Sequence, residues 1–159
     1  MFWLLEISTS KKPEPLRVVF TQSLDLPSKS NLWDCNKAKT LVIYDSSTAN
    51  ESYLTRIPKC VEIEKVPSDN PELISKILAN KGCNKVLWEC GPRLATPAIQ
   101  SNCIKEIITF IAPKILGGEN SMNPFSDFEF KEMHEIINLK NSQFSLIGND
   151  ICVKSSLKN

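Results

Sequence analysis

The residues best equipped for chemistry lie in VLWECGPRLATPAIQ, Val86 to Gln100. An apolar run ends on Glu89, turns through Cys90-Gly91-Pro92 and passes at once into an expected helix. Glycine there permits a turn that a Cβ would obstruct, and proline sets φ for the first helical turn. The first amides of such a helix lack an intrahelical acceptor and face the carboxyl end of the strand. That is an anion site suited to phosphate, and Arg93 adds a positive charge beside it. Glu89 can accept hydrogen bonds from the hydroxyl groups of a sugar-like ligand. In open α/β sheets the crevice beyond the strand ends is the usual ligand site. The same residue types also fit a plain structural junction in which Glu89 caps amides, because E-C-G-P is not the G-x-G-x-x-G fingerprint.

A second candidate is FIAPKILGGEN, where Gly117-Gly118 opens a loop that a ligand backbone or phosphate can approach closely. Two such sites after successive strands are expected to form one crevice. The chain has no G-x-S-x-G and no histidine placed to serve a serine or cysteine. Its one histidine, His134, sits among acids in EMHEIINLK and reads as a surface imidazole. Cys90, beside a helix start, reads either as a thiol of lowered pKa or as a small residue filling a tight turn. Phosphate-binding backbone with little acid–base equipment suits chemistry carried by a cofactor, such as hydride transfer.

The elements that must position these residues are legible from periodicity. LRVVF (Leu16 to Phe20), TLVIY (Thr40 to Tyr44) and CVEIEKV (Cys60 to Val66) read as strands. A helix is expected from Pro71 to about Lys81, with Asn70 as its N-cap, Pro71 at the first helical position and Gly82 past its end. Val86–Trp88 and Ile104–Ala112 read as strands around a second helix, Gly91 to about Ser101. Two last strands are expected near Phe130–Leu139 and Phe144–Val153, linked by KNS. Alternation of strand and helix argues for a parallel sheet covered by helices, and paired strands at the end argue for an antiparallel edge.

At 159 residues the chain suits one domain with its own core. A net charge of +1 with scattered basic residues removes the electrostatic case for nucleic acid. The apolar start, Met1 to Leu5, is too short to span a bilayer and lacks the basic flank of a signal peptide, so a cytoplasmic protein without a membrane span is expected. Six cysteines stand singly with no C-x-x-C, which predicts free thiols and no metal site.

The segments LRVVFTQSLDLP, VLWECGPRLATPAI, IITFIAPKILGG and IGNDICVK, in this order and spacing, resemble the C-terminal reductase domain of the bacterial riboflavin-biosynthesis deaminase/reductase. The resemblance covers residues 15–153. It implies a three-layer α/β/α dihydrofolate-reductase-like sheet, mostly parallel, with an antiparallel C-terminal edge. It also implies NADPH-dependent reduction of 5-amino-6-(5-phosphoribosylamino)uracil, whose ribosyl chain becomes ribityl. By resemblance, Glu89 binds the substrate. Gln22 and the run Gly91, Pro92, Arg93, Leu94, Ala95, Thr96 and Pro97 bind the cofactor. No residue is singled out as catalytic.

This sequence departs from that pattern at several positions. Thr21-Gln22 stands where the family has Asp-Ser, Cys90 where it has a small residue, and Arg93 where it commonly has Thr. Residues 1–14 read as a non-matching segment ahead of a partial reductase domain at 15–159. On this resemblance the zinc deaminase domain and the front of the reductase domain are not matched by these residues. The sheet is therefore expected to be incomplete at its N-terminus, with a homodimer or a partner chain expected to supply the missing strands. Two alternatives follow. One is a non-catalytic remnant or subunit of a split reductase. The other is a reductase of the same fold with another substrate.

Overall fold

The computed structural model describes residues 15–118 and 123–157 in full and the backbone of Phe2–Glu6. Among the described residues the strands are β1 Phe2–Glu6, β2 Arg17–Thr21, β3 Thr40–Asp45, β4 Glu62–Val66, β5 Val86–Glu89, β6 Glu106–Ile111, β7 Leu139–Ile147 and β8 Asp150–Leu157. The helices are α1 Pro71–Asn80 and α2 Pro92–Gln100.

β3 explains the first sheet. All six of its residues, TLVIYD, are buried, and successive side chains of a strand point to opposite faces. Leu41 and Ile43 face the helices and pack in one cluster with Val18, Phe20, Val66, Ile74 and Leu78. Val42 and Tyr44 face the other way and pack with Leu24 and Val61. Each such fully buried aliphatic side chain stabilises the fold by about 1.5–3 kcal/mol. On that second face the covering layer has no α-helix among the described residues. It is built from the 3-10 turns Asn31–Trp33 and Glu51–Arg56 and their flanking loops.

The sheet runs β4-β3-β2-β1-β5. β2, β3 and β4 are parallel. β1 lies between β2 and β5, antiparallel to both, which sets β5 in the direction of β2. The sequence reading began the sheet at β2 and missed β1, although FWLLE carries the apolar run a central strand needs. The start of β1 is level with the carboxyl ends of its neighbours: Phe2 is opposite Phe20, and Trp3 is opposite Glu89.

The helices end as the sequence implies. The Asn70 side chain accepts from the amides of Glu72 at 2.8 Å and Leu73 at 3.4 Å. Past α1, Gly82 takes φ +87°, with Cys83 N–H bonded to the Leu78 carbonyl and Gly82 N–H to that of Ala79. This is the paired closure of a Schellman motif. α2 closes the same way with Asn102 at φ +56°.

The C-terminal strands do not extend the first sheet. They form a second one, β6-β8-β7, wholly antiparallel. The hairpin turn is Gly148-Asn149, with Gly148 at φ +62° and Ile147 opposite Asp150. The expected turn at KNS is instead a bulge in β7, with Asn141 at φ +52° and the register shifting between Lys140 and Gln143. The register puts Ile111, Ile151 and Leu146 side by side, and next to them Thr109, Val153 and Phe144. This face carries no charge among these residues, and Phe144 and Leu146 are 73% and 76% exposed. The opposite face holds the Lys154–Glu106 ion pair at 3.1 Å.

Cys35 and Cys60 form a disulfide, which corrects the expectation of free thiols throughout. The two loops that carry them, far apart in sequence, meet on the helix-free face of the first sheet, where Cys35 packs against the Tyr44 cluster. Among the described residues no helix is long and apolar enough to cross a membrane.

Candidate functional site

The parallel strands β2, β3 and β4 and the co-directional β5 deliver their carboxyl ends to one edge of the sheet. Each end turns by a local device. Past β2, the buried Thr21 hydroxyl accepts from the amides of Ser23 at 3.3 Å and Leu24 at 3.1 Å, and Leu24 sits at φ +60°. Past β3, the Asp45 carboxylate accepts from the amide and hydroxyl of Ser47 at 2.8 and 2.6 Å. Ser46 then ties this turn to the end of β4 by giving its amide and hydroxyl to the Val66 carbonyl.

Gln22 is where these ends converge. Its backbone carbonyl accepts from the Thr48 hydroxyl at 2.8 Å. Its side-chain amide donates to the Asp69 carboxylate at 2.9 Å, and its side-chain oxygen accepts from Arg93 Nη2 at 3.0 Å. One residue past β2 thus touches the loops that follow β3 and β4 and the first turn of α2, which follows β5. Beneath it lies a cavity of about 410 Å³ lined by Phe20, Thr21, Gln22, Ser23, Asp25, Leu26, Asp69, Arg93 and Leu94. That volume falls in the range of small-molecule sites, about 300–1,000 Å³. A second, shallower hollow lies between the start of α1 and the end of α2, lined by Asp69, Asn70, Pro97 and Gln100 among others. It has no comparable convergence of charged and amide groups from separate strand ends.

Of the expected site residues, Gln22, Arg93 and Leu94 line the cavity, with Gly91, Pro92 and Ala95 beside them in the chain, while Thr96, Pro97 and Glu89 do not line it. Pro97 lines the second hollow. Thr96 is buried, and its hydroxyl binds the backbone of Ser126, accepting at 2.8 Å and donating at 3.4 Å. It anchors the segment after residue 122. Glu89 is exposed and does not line the cavity. β1 lies between β5 and β2, so Glu89 is about 10 Å, two strand spacings, from the end of β2. Gly117 and Gly118 lie in an exposed loop, and β6 pairs with β8, so the expected single crevice from the ends of β5 and β6 does not form.

The helix start differs from the expectation in its donors. Gly91 has φ −79°, a value open to any residue, so the turn itself does not require glycine. Pro92 has no N–H, and the Leu94 amide is given to the Gly91 carbonyl at 3.2 Å. Within Pro92–Leu94 the donors left for an anion are therefore the Arg93 amide and guanidinium. Burial pushes the Cys90 thiol up, which opposes a reactive thiolate. His134 is exposed, 3.1 Å from Glu132, as its acidic surroundings imply.

Sequence reasoning missed Asp69 and Thr48. Both lie in short polar loops that read as ordinary turns, and only the strand order reveals that these loops are neighbours.

The chain matches the model of the RibD C-terminal domain over residues 4–153. The chain belongs to that family. The match begins within β1. Among its relatives are the riboflavin biosynthesis protein PYRR, chloroplastic, of Arabidopsis thaliana, 35% identical over 91% of this chain and 24% of that protein. Another is the riboflavin biosynthesis protein RibD of Synechocystis, 38% identical over 86% of this chain and 37% of that protein. The chain thus spans about a quarter to two fifths of these relatives. A pyrimidine reductase-like protein from Corynebacterium diphtheriae shares the RibD-type fold, with a TM-score of 0.70 at 18% identity, covering 89% of this chain and 60% of that one. A diaminohydroxyphosphoribosylaminopyrimidine deaminase/5-amino-6-(5-phosphoribosylamino)uracil reductase from Thermotoga maritima matches with a TM-score of 0.66 at 19% identity, over 94% of this chain and 39% of that one.

Proposed function

We propose that this chain carries the reductase step of riboflavin synthesis, converting 5-amino-6-(5-phosphoribosylamino)uracil to its ribityl product with NADPH. The observation that carries this reading is the strand-end cavity with Arg93 at its mouth, in a member of the RibD C-terminal domain family. An Archaeoglobus fulgidus relative, 29% identical over 70% of this chain, is a 2,5-diamino-6-ribosylamino-4(3H)-pyrimidinone 5′-phosphate reductase.

The conversion adds one hydride and one proton to the ribosylamine. NADPH, when bound, supplies the hydride. A dinucleotide is larger than the cavity, so the cavity takes one part of it and the rest lies along the strand ends. Arg93, Gln22 and Leu94 hold that part. Glu89, on the far side of β1, receives the hydroxyl groups of the sugar chain. Asp25 and Asp69 are the carboxylates among the described residues that line the cavity, beside the Arg93 guanidinium. The protein's contribution is positioning.

The partner in this reading is a second copy of the chain. The face of β6, β8 and β7 formed by Ile111, Ile151, Leu146, Val153 and Phe144 is uncharged, so one copy meets another without like-charge repulsion. Two such faces pack about 10 Å apart as a sandwich.

Titration with NADPH followed by a turnover assay with the ribosylaminopyrimidine tests the reading. Glu89→Gln should weaken substrate binding and leave NADPH binding unchanged. NADPH binding without turnover would favour a non-catalytic subunit or another pyrimidine-like substrate.

A further inference from the structure

We infer that Asp69, acting through Gln22, is a positioning residue that orients Arg93 toward the phosphomonoester that distinguishes NADPH from NADH; this rests on the cofactor reading above. A carboxamide has one end that only donates and one that only accepts. Asp69 accepts from the Gln22 amide nitrogen at 2.9 Å, and Arg93 donates to the Gln22 oxygen at 3.0 Å. Flipping the amide would set its oxygen against a carboxylate and its NH₂ against a guanidinium, so the orientation is unique. Thr48 fixes the backbone beneath it. The bond to Gln22 uses Arg93 Nη2 alone, and a guanidinium with five N–H donors can meet a phosphate while keeping it.

The helix start indicates which phosphate. A pyrophosphate cradled at a helix N-terminus needs several backbone amides. Here Pro92 has none and the Leu94 amide is already given to Gly91. What this turn offers instead is a guanidinium, which suits a doubly charged monoester with three terminal oxygens.

The sign of one substitution decides the matter. If Asp69 acted only through its charge, Asp69→Asn would remove a negative group from the crevice and tighten NADPH. If it positions Arg93, the asparagine lets the Gln22 amide turn over, and NADPH weakens. Kd for NADPH and for NADH is measured by nicotinamide fluorescence on the full chain for wild type, Asp69→Asn, Gln22→Met and Arg93→Gln, with thermal unfolding to confirm that each is folded. The expected result for Arg93→Gln is a loss of about tenfold or more in NADPH affinity with NADH unchanged. Asp69→Asn and Gln22→Met should each lose a smaller factor for NADPH only. The double variant should be no worse than Gln22→Met, because both act on one path. Tighter or unchanged NADPH binding in Asp69→Asn, or equal effects on NADPH and NADH, overturns this inference alone. A folded wild-type chain that binds neither nucleotide overturns the cofactor reading itself.

Discussion

Arg93 donates to the side-chain oxygen of Gln22 at 3.0 Å. A long amide past β2 thus meets a long cation at the start of α2, across the intervening β1.

That contact should appear as coupling. Gln22→Ser and Arg93→Thr each remove the bond, and the double variant should cost less than the sum of the singles. Arg93 is exposed, so solvent screening holds the coupling in stability to below about 1 kcal/mol. A double-mutant cycle by urea denaturation measures it. Strict additivity would mean that the bond contributes nothing.

The Cys35–Cys60 disulfide joins residues 25 apart and clamps the layer of 3-10 turns over β3. A closed loop of that length stabilises by about 3.5 kcal/mol in the chain-entropy model. Adding a reductant should lower the urea midpoint, and Cys35→Ser should show the lower midpoint with or without reductant. An unchanged midpoint in protein shown by mass to be reduced would contradict this.

Tyr44 gives a pH dependence with a definite sign. Burial, then its hydrogen bond and proximity to Glu51, raises its pKa above the ordinary value of 10.0. The folded state therefore holds the phenol proton more tightly than the unfolded state does. The contribution is fully present below pH 10 and is lost as pH rises through the higher folded value. Stability should fall in this alkaline range, and the Tyr44→Phe variant should lack that part of the fall. Identical alkaline profiles for the two proteins would contradict the assignment.

The uncharged face of the second sheet should bury itself against another copy. Phe144→Lys and Leu146→Lys should shift the sedimentation of a concentrated sample toward monomer while leaving circular dichroism unchanged. A wild-type chain that sediments as a monomer at all concentrations would contradict the proposed partner.

Asn70-Pro71 and Gly82 made α1 legible in the sequence, because capping is a local matter of one side chain and a few amides. The buried run TLVIY was legible for the same reason: its residue types alone demand two covered faces. Non-local facts were not legible. IGND reads as a break within a strand until Ile147 is seen opposite Asp150. Nothing in FWLLE says that it runs antiparallel between β2 and β5. Cys35 and Cys60 have no spacing signature, since their meeting depends on two loops folding over the same sheet face. At the site, Arg93 and Gln22 were legible as types, but Asp69 was not, because only strand order makes its loop their neighbour.

Titration of the full chain, shown to be folded, with NADPH at two salt concentrations tests the cofactor site itself. Saturable enhancement of nicotinamide fluorescence with micromolar affinity, roughly 8 kcal/mol, is expected. Binding should weaken as salt rises, because Arg93 supplies the charge. A folded chain that leaves nicotinamide fluorescence unchanged would contradict it.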